Sequence, residues 1–499
     1  MLLVVFSIIC IHYNIIVQKA RCRIFQENQN TTLYFDDSPK ESCGVVGVYS
    51  PDFEVAQTLF YALYALQHRG QESAGITTSA DGYIFTHKNT GLVSHVFQEN
   101  DLSALVGKFG IGHTRYSTTG SSNTKNSQPI NVKSSSSKLS LAHNGNIVNA
   151  IELKKELELE GVVFTTSMDS EVIAHLINSY PSNNIVEKVK YAMRKLKGAY
   201  SLTILYEDKI IGVRDPFGVR PLCIGKIENS YIIASETCAL DHVGAEFIRE
   251  VESGEIVILD KFGLQSSHFS GLKVRPAPCI FEYIYFARPD SIMNGKLNYS
   301  VRRNMGIQLA KKYPVEADVV IGVPDSAIPA AIGYAFESGI PYSDGLIRNR
   351  YVGRTFIQPE QRFRVLGASL KYNTLTEVVA NKRIVVLDDS IVRGTTTPQV
   401  LSLLKSAGAK EIHMRVCAPP ITNPCHFGVD LANKSDLIAA QKSVTEIKQF
   451  IGADSLHYLS IEECLETFGG SLDTNCTACF TGDYPIPVQL ELDKMILER

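Results

Sequence analysis

Arg383–Val400 reads R-I-V-V-L-D-D-S-I-V-R-G-T-T-T-P-Q-V, and this stretch decides the fold. Ile384–Leu387 is a short, β-branched apolar run, the pattern of a strand buried on both faces. Two carboxylates, Asp388 and Asp389, end it, and small and hydroxyl residues follow from Ser390 to Thr397. Thr397 is placed to cap a helix with Pro398 in its first turn. Val400, Leu401, Leu403 and Leu404 supply its apolar face, and Gly408 stops it. Strand, turn and helix N-terminus together offer backbone N–H groups and a favourable dipole to a phosphate. Paired carboxylates at the strand's C-terminal end suit ribose hydroxyls, or a Mg²⁺ ion that takes oxygen ligands. A lone Asp-Asp pair reads as the solvated turn of an ordinary β-α unit; here it comes with Arg393-Gly394 and three threonines.

In that combination the stretch resembles the signature of the type I phosphoribosyltransferases, which bind phosphoribosyl pyrophosphate (PRPP). The resemblance implies that Asp388 and Asp389 hold the ribose and Mg²⁺. It places Ser390 in the same PRPP-binding loop, and it has Arg393, Gly394, Thr395 and Thr396 cradle the 5′-phosphate. Val323-Pro324-Asp325-Ser326-Ala327 follows an apolar run, Val319–Gly322, and matches the position of that family's pyrophosphate loop. Ser326 is carried over as a metal-associated position. Between Arg348 and Lys371 lie Arg350, Arg354, Arg362 and Arg364 against the single acid Glu360. By charge alone this is a solvated basic loop; opposite a pyrophosphate it also makes sense as a water-excluding lid. The run Asn349–Ile357, N-R-Y-V-G-R-T-F-I, is similar to the flexible catalytic loop of the glutamine PRPP amidotransferases. That likeness brings Arg350, Tyr351 and Arg354 to PRPP.

At 499 residues the chain is long enough for two or three domains, and 44% hydrophobic with 20% charged residues describes a globular protein. A formal charge of −3 argues against nucleic acid as a partner. Eleven cysteines without dense, regular spacing do not form a secreted disulfide scaffold. Leu2–Val17 is apolar but interrupted by His12 and Asn14, too short to span a membrane, and no basic residue precedes it. Asn30-Thr31-Thr32 fits a glycosylation acceptor, a pattern common by chance. From Cys43 to about Leu272 short strands alternate with small-residue turns and a few helices. Gly271–Pro278 is the best linker. Beyond it strand and helix patterns alternate through Val319–Val323, a helix from Ala327, the stretch around Ile347, the unit at 384–408 and Glu411–Cys417. Such alternation implies a parallel sheet with ligands at the strands' C-terminal ends.

Five clusters mark the first half: Ser42–Val45, His68–Glu72, Gly112–Tyr116, His143–Asn146 and Asp169–Glu171. Singly, each has a structural explanation, such as a buried thiol, core histidines or a helix cap. Together they resemble the glutaminase domain of the N-terminal-nucleophile (Ntn) amidotransferases, over nearly all of residues 43–270. In that family the catalytic Cys begins the mature chain, and its own α-amine, with a reference pKa of about 8, acts as base for the thiol. The resemblance makes Cys43 the nucleophile, and Asn144 with the Gly145 N–H the oxyanion hole. It also has Arg115 clamp the glutamine carboxylate and Asp169 hold its α-ammonium. While Cys43 sits in a peptide bond its nitrogen cannot be a base, so residues 1–42 are expected to be a leader that is removed. A leader this long and apolar departs from the family's short propeptide.

Cys279, Cys425, Cys476 and Cys479 remain, and only the last two form a C-x-x-C pair, a weak metal signal by spacing. Their contexts, P-C-I-F-E-Y, N-P-C and N-C-T-A-C-F, resemble the amidotransferases that carry a [4Fe–4S] cluster. The whole is therefore expected to be a two-domain α/β chain. Residues 43–272 form an Ntn αββα glutamine amidotransferase domain and 273–470 a type I phosphoribosyltransferase domain with a parallel sheet. A tail, 471–499, carries cluster ligands. The glutamine PRPP amidotransferases, which the chain resembles from Cys43 almost to its end, convert glutamine, PRPP and water to 5-phosphoribosylamine, glutamate and pyrophosphate, the first step of de novo purine synthesis. The family further implies purine-nucleotide feedback inhibition, a homotetramer and a cytoplasmic location. Two alternatives stand beside this reading. One is a different Ntn amidotransferase, which would not need the D-D-S-I-V-R-G-T-T loop; the other is a PRPP-sensing regulator, which would not need an intact glutaminase set.

Overall fold

The computed structural model describes residues 43–116, 123–133, 138–271, 274–349, 371–429, 431 and 433–488. The leader, the Ser134–Ser137 stretch and the basic-loop positions Arg350, Tyr351 and Arg354 lie outside the described residues. Thirteen strands build the first half: β1 (Gly44–Tyr49), β2 (Ser73–Ala80), β3 (Tyr83–Thr90), β4 (Phe109–Arg115), β5 (Ile130–Lys133), β6 (Lys138–Ile147), β7 (Gly198–Tyr206), β8 (Lys209–Arg214), β9 (Cys223–Ile227), β10 (Ser230–Ala234), β11 (Glu246–Glu250), β12 (Glu255–Asp260) and β13 (Gly263–His268). They form two antiparallel sheets, in the orders β11-β9-β10-β1-β4-β2-β3 and β13-β12-β8-β7-β6-β5. Alternating apolar positions on the inner faces, among them Val45, Ile111, Ala142, Leu205, Ile210 and Val257, pack the sheets together. On one outer face Leu59, Leu63 and Leu66, in and just after the helix Ala56–Ala65, cover the first sheet. Helices Ala150–Leu159, Asp169–Ser179 and Ile185–Lys195 cover the second. The result is the expected four-layer αββα sandwich.

The second half is built on four parallel strands in the spatial order Val319–Gly322, Arg383–Asp388, Glu411–Val416 and Ser455–Tyr458. Ile384–Leu387 is wholly buried, as its unbroken β-branched run requires. The helix Thr397–Ser406 follows, with Pro398 in its first turn and Gly408 just past its end at φ +93°. Thr396, not Thr397, occupies the capping position, and no side chain there accepts from the helix. Backbone in the αR region at Thr396 starts the helical geometry one residue early.

The stretch around Ile347 differs from the expected pattern. Leu346–Arg348 pairs antiparallel with Tyr372–Thr374 in a separate two-stranded ribbon and takes no part in the parallel sheet. The strand that completes that sheet is Ser455–Tyr458. The linker is tied back to the first half: Ala277 N–H donates to Phe217 O at 2.6 Å and Cys279 N–H to Val219 O at 3.1 Å. No described helix is long and apolar enough to cross a membrane.

Candidate active sites

Cys43 immediately precedes β1 and is 5% exposed. Register pairs Gly44 with Thr114, so the thiol sits beside Arg115 at the end of β4, and Sγ donates to Tyr116 O at 3.4 Å. Burial pushes this thiol up to about 11, which leaves little thiolate at neutral pH and makes an adjacent base necessary. The α-amine expected to serve becomes free only when the Ser42–Cys43 bond is cut.

Asn144 and Gly145 come from β6 in the facing sheet, paired with Ser201 and Tyr200. The Asn144 amide is fully buried, yet neither its nitrogen nor its oxygen has a hydrogen-bond partner. An orphaned buried amide costs about 1–3 kcal/mol, which leaves both Asn144 atoms able to bind a ligand group. Gly145 has φ +147°, and a Cβ there would lie 2.0 Å from Ala199 O, so no other residue fits.

Asp169 begins the helix Asp169–Ser179 and is buried. Its Oδ2 accepts from Ile147 N–H at 3.1 Å and lies 3.6 Å from His143 Nδ1. Burial alone would raise this carboxyl, but His143 and the Ile147 N–H outweigh it and hold it below the usual range. Arg115 is buried too, with Nη2 3.3 Å from Met168 Sδ. Arg115 at the end of β4 and Asp169 at a helix N-terminus both lie close enough to act on the Cys43 thiol, and Asn144 and Gly145 stand on β6 of the facing sheet.

Glu171, in the same first turn, accepts from the N–H and hydroxyl of Thr165 and of Thr166 at 2.7–3.2 Å. Burial raises it, but His175 and these donors outweigh that and lower it to about 2. A carboxylate depressed on folding stabilises above its unfolded value, near 4.5, and that stability is lost as pH falls from there towards 2. Glu171→Gln is therefore expected to cost about 2–3 kcal/mol at pH 7 and progressively less below pH 4.5, read from denaturant midpoints.

A buried ion cluster that the sequence did not announce stands behind Cys43. Arg69 Nε donates to Cys43 O at 3.1 Å, and its guanidinium meets Glu236 at 2.5 Å and Glu282 at 2.8 and 3.0 Å. Arg220 Nη1 also reaches Glu282, at 3.1 Å. All four side chains are fully enclosed. Arg69 lies in the marked His68–Glu72 cluster, but nothing local in the sequence pairs it with residues 167 and 213 positions away.

At the second site Asp388 and Asp389 end the strand Arg383–Asp388, and they differ in role. Asp389 is buried, accepting from Ser326 Oγ at 2.6 Å and Ser390 Oγ at 2.7 Å on its two oxygens. Burial raises its pKa against the pull of those hydroxyls and of the buried Arg302. Asp388 is half-buried and accepts from Asp389 N–H at 2.9 Å. Arg393–Thr396 forms the turn before the helix, with Gly394 at φ +70°. The Val323–Ala327 turn lies alongside through Ser326, and Arg348 reaches across it to Asp325 at 3.2 Å. These side chains could hold a ribose, a phosphate and a divalent cation at the C-terminal ends of the parallel strands.

Cys279, Cys425, Cys476 and Cys479 line one small cavity with Arg220 and Tyr484. Cys279 and Cys476 are bridged backbone to backbone, and all four thiols are free of disulfides. Burial pushes Cys279 up to about 11 and raises Cys476 and Cys479 as well. Among the described residues no three His, Cys, Asp or Glu groups come close enough for a single metal ion. Four thiols lining one cavity could hold a group larger than a single metal ion, whose sulfur ligands need not converge on one atom.

Residues 113–242 match the family model of the glutamine amidotransferase domain and residues 294–448 that of the phosphoribosyl transferase domain. An amidophosphoribosyltransferase from Synechocystis is 50% identical over 481 residues, 95% of this chain and 97% of its own length. The Bacillus subtilis amidophosphoribosyltransferase is 48% identical over 453 residues, covering 90% and 95%. A solved structure of B. subtilis glutamine PRPP amidotransferase, complexed with ADP and GMP, superposes with TM-score 0.85 at 47% identity, covering 90% of this chain and 98% of that one. With identity near one half along almost the whole length, and with both domains matched, the chain belongs to the amidophosphoribosyltransferase family.

Proposed function

We propose that this chain transfers the side-chain nitrogen of glutamine to C1 of PRPP, with the roles divided as follows. The carrying observation is a buried Cys43 beside Arg115 and a buried, unpartnered Asn144 amide on β6, in one chain with the paired carboxylates Asp388 and Asp389 at a strand end. With residues 1–42 removed, the Cys43 amine takes the thiol proton. Sulfur attacks the glutamine amide carbon, and the oxyanion is held by Asn144 Nδ2 and the Gly145 N–H, each donor worth about 3–4 kcal/mol. Arg115 binds the substrate carboxylate and Asp169 its ammonium. Collapse expels ammonia and leaves a thioester, which water hydrolyses to glutamate. Ammonia passes through a water-poor interdomain route and attacks C1 as pyrophosphate leaves, giving 5-phosphoribosylamine.

Asp388 orients the ribose. Asp389 holds Ser326 and Ser390 in place, Arg393–Thr396 takes the 5′-phosphate, and Arg350, Tyr351 and Arg354 close over the pyrophosphate. Mg²⁺ at Asp388, Asp389 and Ser326 would neutralise charge on the leaving group when bound. The domains follow: leader 1–42, glutaminase 43–272, phosphoribosyltransferase 273–470 and tail 471–499. A cytoplasmic homotetramer inhibited by purine nucleotides fits the same reading.

The four cysteines would hold a [4Fe–4S] cluster, a structural tie between the linker and the tail. Replacing Cys476 with Ser is expected to lower iron and acid-labile sulfide per chain to a small fraction of the parent value. Unchanged iron content would remove Cys476 from the ligand set. The reaction itself is tested with glutamine labelled at its amide nitrogen, in a large excess of unlabelled ammonium. Label carried into 5-phosphoribosylamine supports direct transfer; dilution to the bulk ratio contradicts it.

A further inference from the structure

The oxyanion strand is gripped by the other domain. His426 O accepts from Asn146 Nδ2 at 2.9 Å, and Phe427 O accepts from Arg220 Nε at 3.0 Å and Nη2 at 2.7 Å. Gly428 sits at φ +99°, and a Cβ there would lie 3.0–3.1 Å from the backbone of Gly145. Gly145 thus has both Ala199 O and Gly428 packed closely against it. Arg220 closes the arrangement by joining Phe427 O to Glu282, which pairs with the Arg69 that donates to Cys43 O.

A tetrahedral oxyanion is stabilised only by donors fixed at its position, and a displacement of a few tenths of an ångström already weakens them. We propose that the strap His426–Gly428 positions the oxyanion hole, so that the second domain sets the rate of the glutaminase through Gly145. The inference rests on the assignment of Asn144 and the Gly145 N–H as that hole. Substrate binding through Arg115 and Asp169 does not involve the strap, so its effect falls on kcat and not on KM.

The test uses the full chain with its leader removed and compares Gly428→Ala, Asn146→Asp and Asn144→Ala. Gly428→Ala pushes a methyl against Gly145; Asn146→Asp sets a carboxylate against His426 O without adding volume. Each is expected to lower glutamine-dependent kcat about tenfold or more, the scale of a weakened oxyanion donor. Glutamine KM, ammonia-dependent synthesis and the rate of Cys43 alkylation by iodoacetamide should each stay within about twofold, none of them needing the hole. If Asn144→Ala abolishes glutaminase while both strap variants keep full kcat, the strap proposal is overturned. If Asn144→Ala is itself fully active, the oxyanion assignment fails first. Should Gly428→Ala also lose ammonia-dependent synthesis, Asn146→Asp decides: unchanged glutamine kcat overturns the proposal and a selective loss supports it.

Discussion

Replacing Cys43 with Ala is expected to lower glutamine-dependent amine transfer by about 10³-fold or more, while synthesis from added ammonia stays within about twofold. The asymmetry follows from the separation of the sites. Cys43 stands at the head of β1, next to the end of β4, and Asp388 ends a strand of a different sheet. Alanine fills less space than cysteine, but Cys43 stands at the head of β1 and not within it, so the strand's register is unaffected. The same split is expected of a chain whose leader is retained, because an amide nitrogen cannot accept the thiol proton. With the thiol pushed up to about 11, activity from glutamine should rise with pH as the α-amine, near its reference value of about 8, deprotonates. Full glutamine-dependent turnover by Cys43→Ala would assign the nucleophile elsewhere.

The second large effect is at Asp388. Asp388→Asn is expected to reduce kcat/KM for PRPP by about 10²-fold or more, through the loss of charge-assisted hydrogen bonds worth roughly 1.5–3 kcal/mol each. Basal glutamine hydrolysis without PRPP should be unchanged. The neighbouring carboxylate makes a useful contrast. Asp389 is buried, with both oxygens taken by Ser326 and Ser390, so Asp389→Asn disturbs the turn that carries Ser326 as well as the ligand. Initial rates against PRPP, with ammonia as donor, separate the two: Asp388→Asn should lose affinity in a normally stable protein, and Asp389→Asn should also lose thermal stability. Equal PRPP kinetics for Asp388→Asn and the parent would remove it from the ribose site.

What the sequence made legible was whatever is local. A β-branched run, two carboxylates, a glycine turn and a helix with proline in its first turn lie within Arg383–Val400, and the structure builds the strand and helix there with the capping position moved by one residue. Cys43, Arg115, Asn144, Gly145 and Asp169 are readable as separate short motifs, and the sandwich sets Arg115 and Asp169 near Cys43. The ribbon Leu346–Arg348 was misjudged, because three residues of strand pattern do not say which partner they pair with. Nor was the Arg69–Glu282–Arg220 cluster legible. Charged residues read as surface by default, and only the packed interface shows them enclosed. The contact of Asn146 with His426 spans 280 residues, a separation at which pattern carries no information.

The two half-reactions are expected to be coupled, and following both products in the same reaction shows whether they are. The protein beginning at Cys43, kept anaerobic with Mg²⁺, is given glutamine with and without PRPP, and glutamate and pyrophosphate are measured in the same samples. The two should appear in equal amounts, and PRPP should raise the rate of glutamate release. Glutamate release indifferent to PRPP, with no pyrophosphate formed, would contradict the coupling.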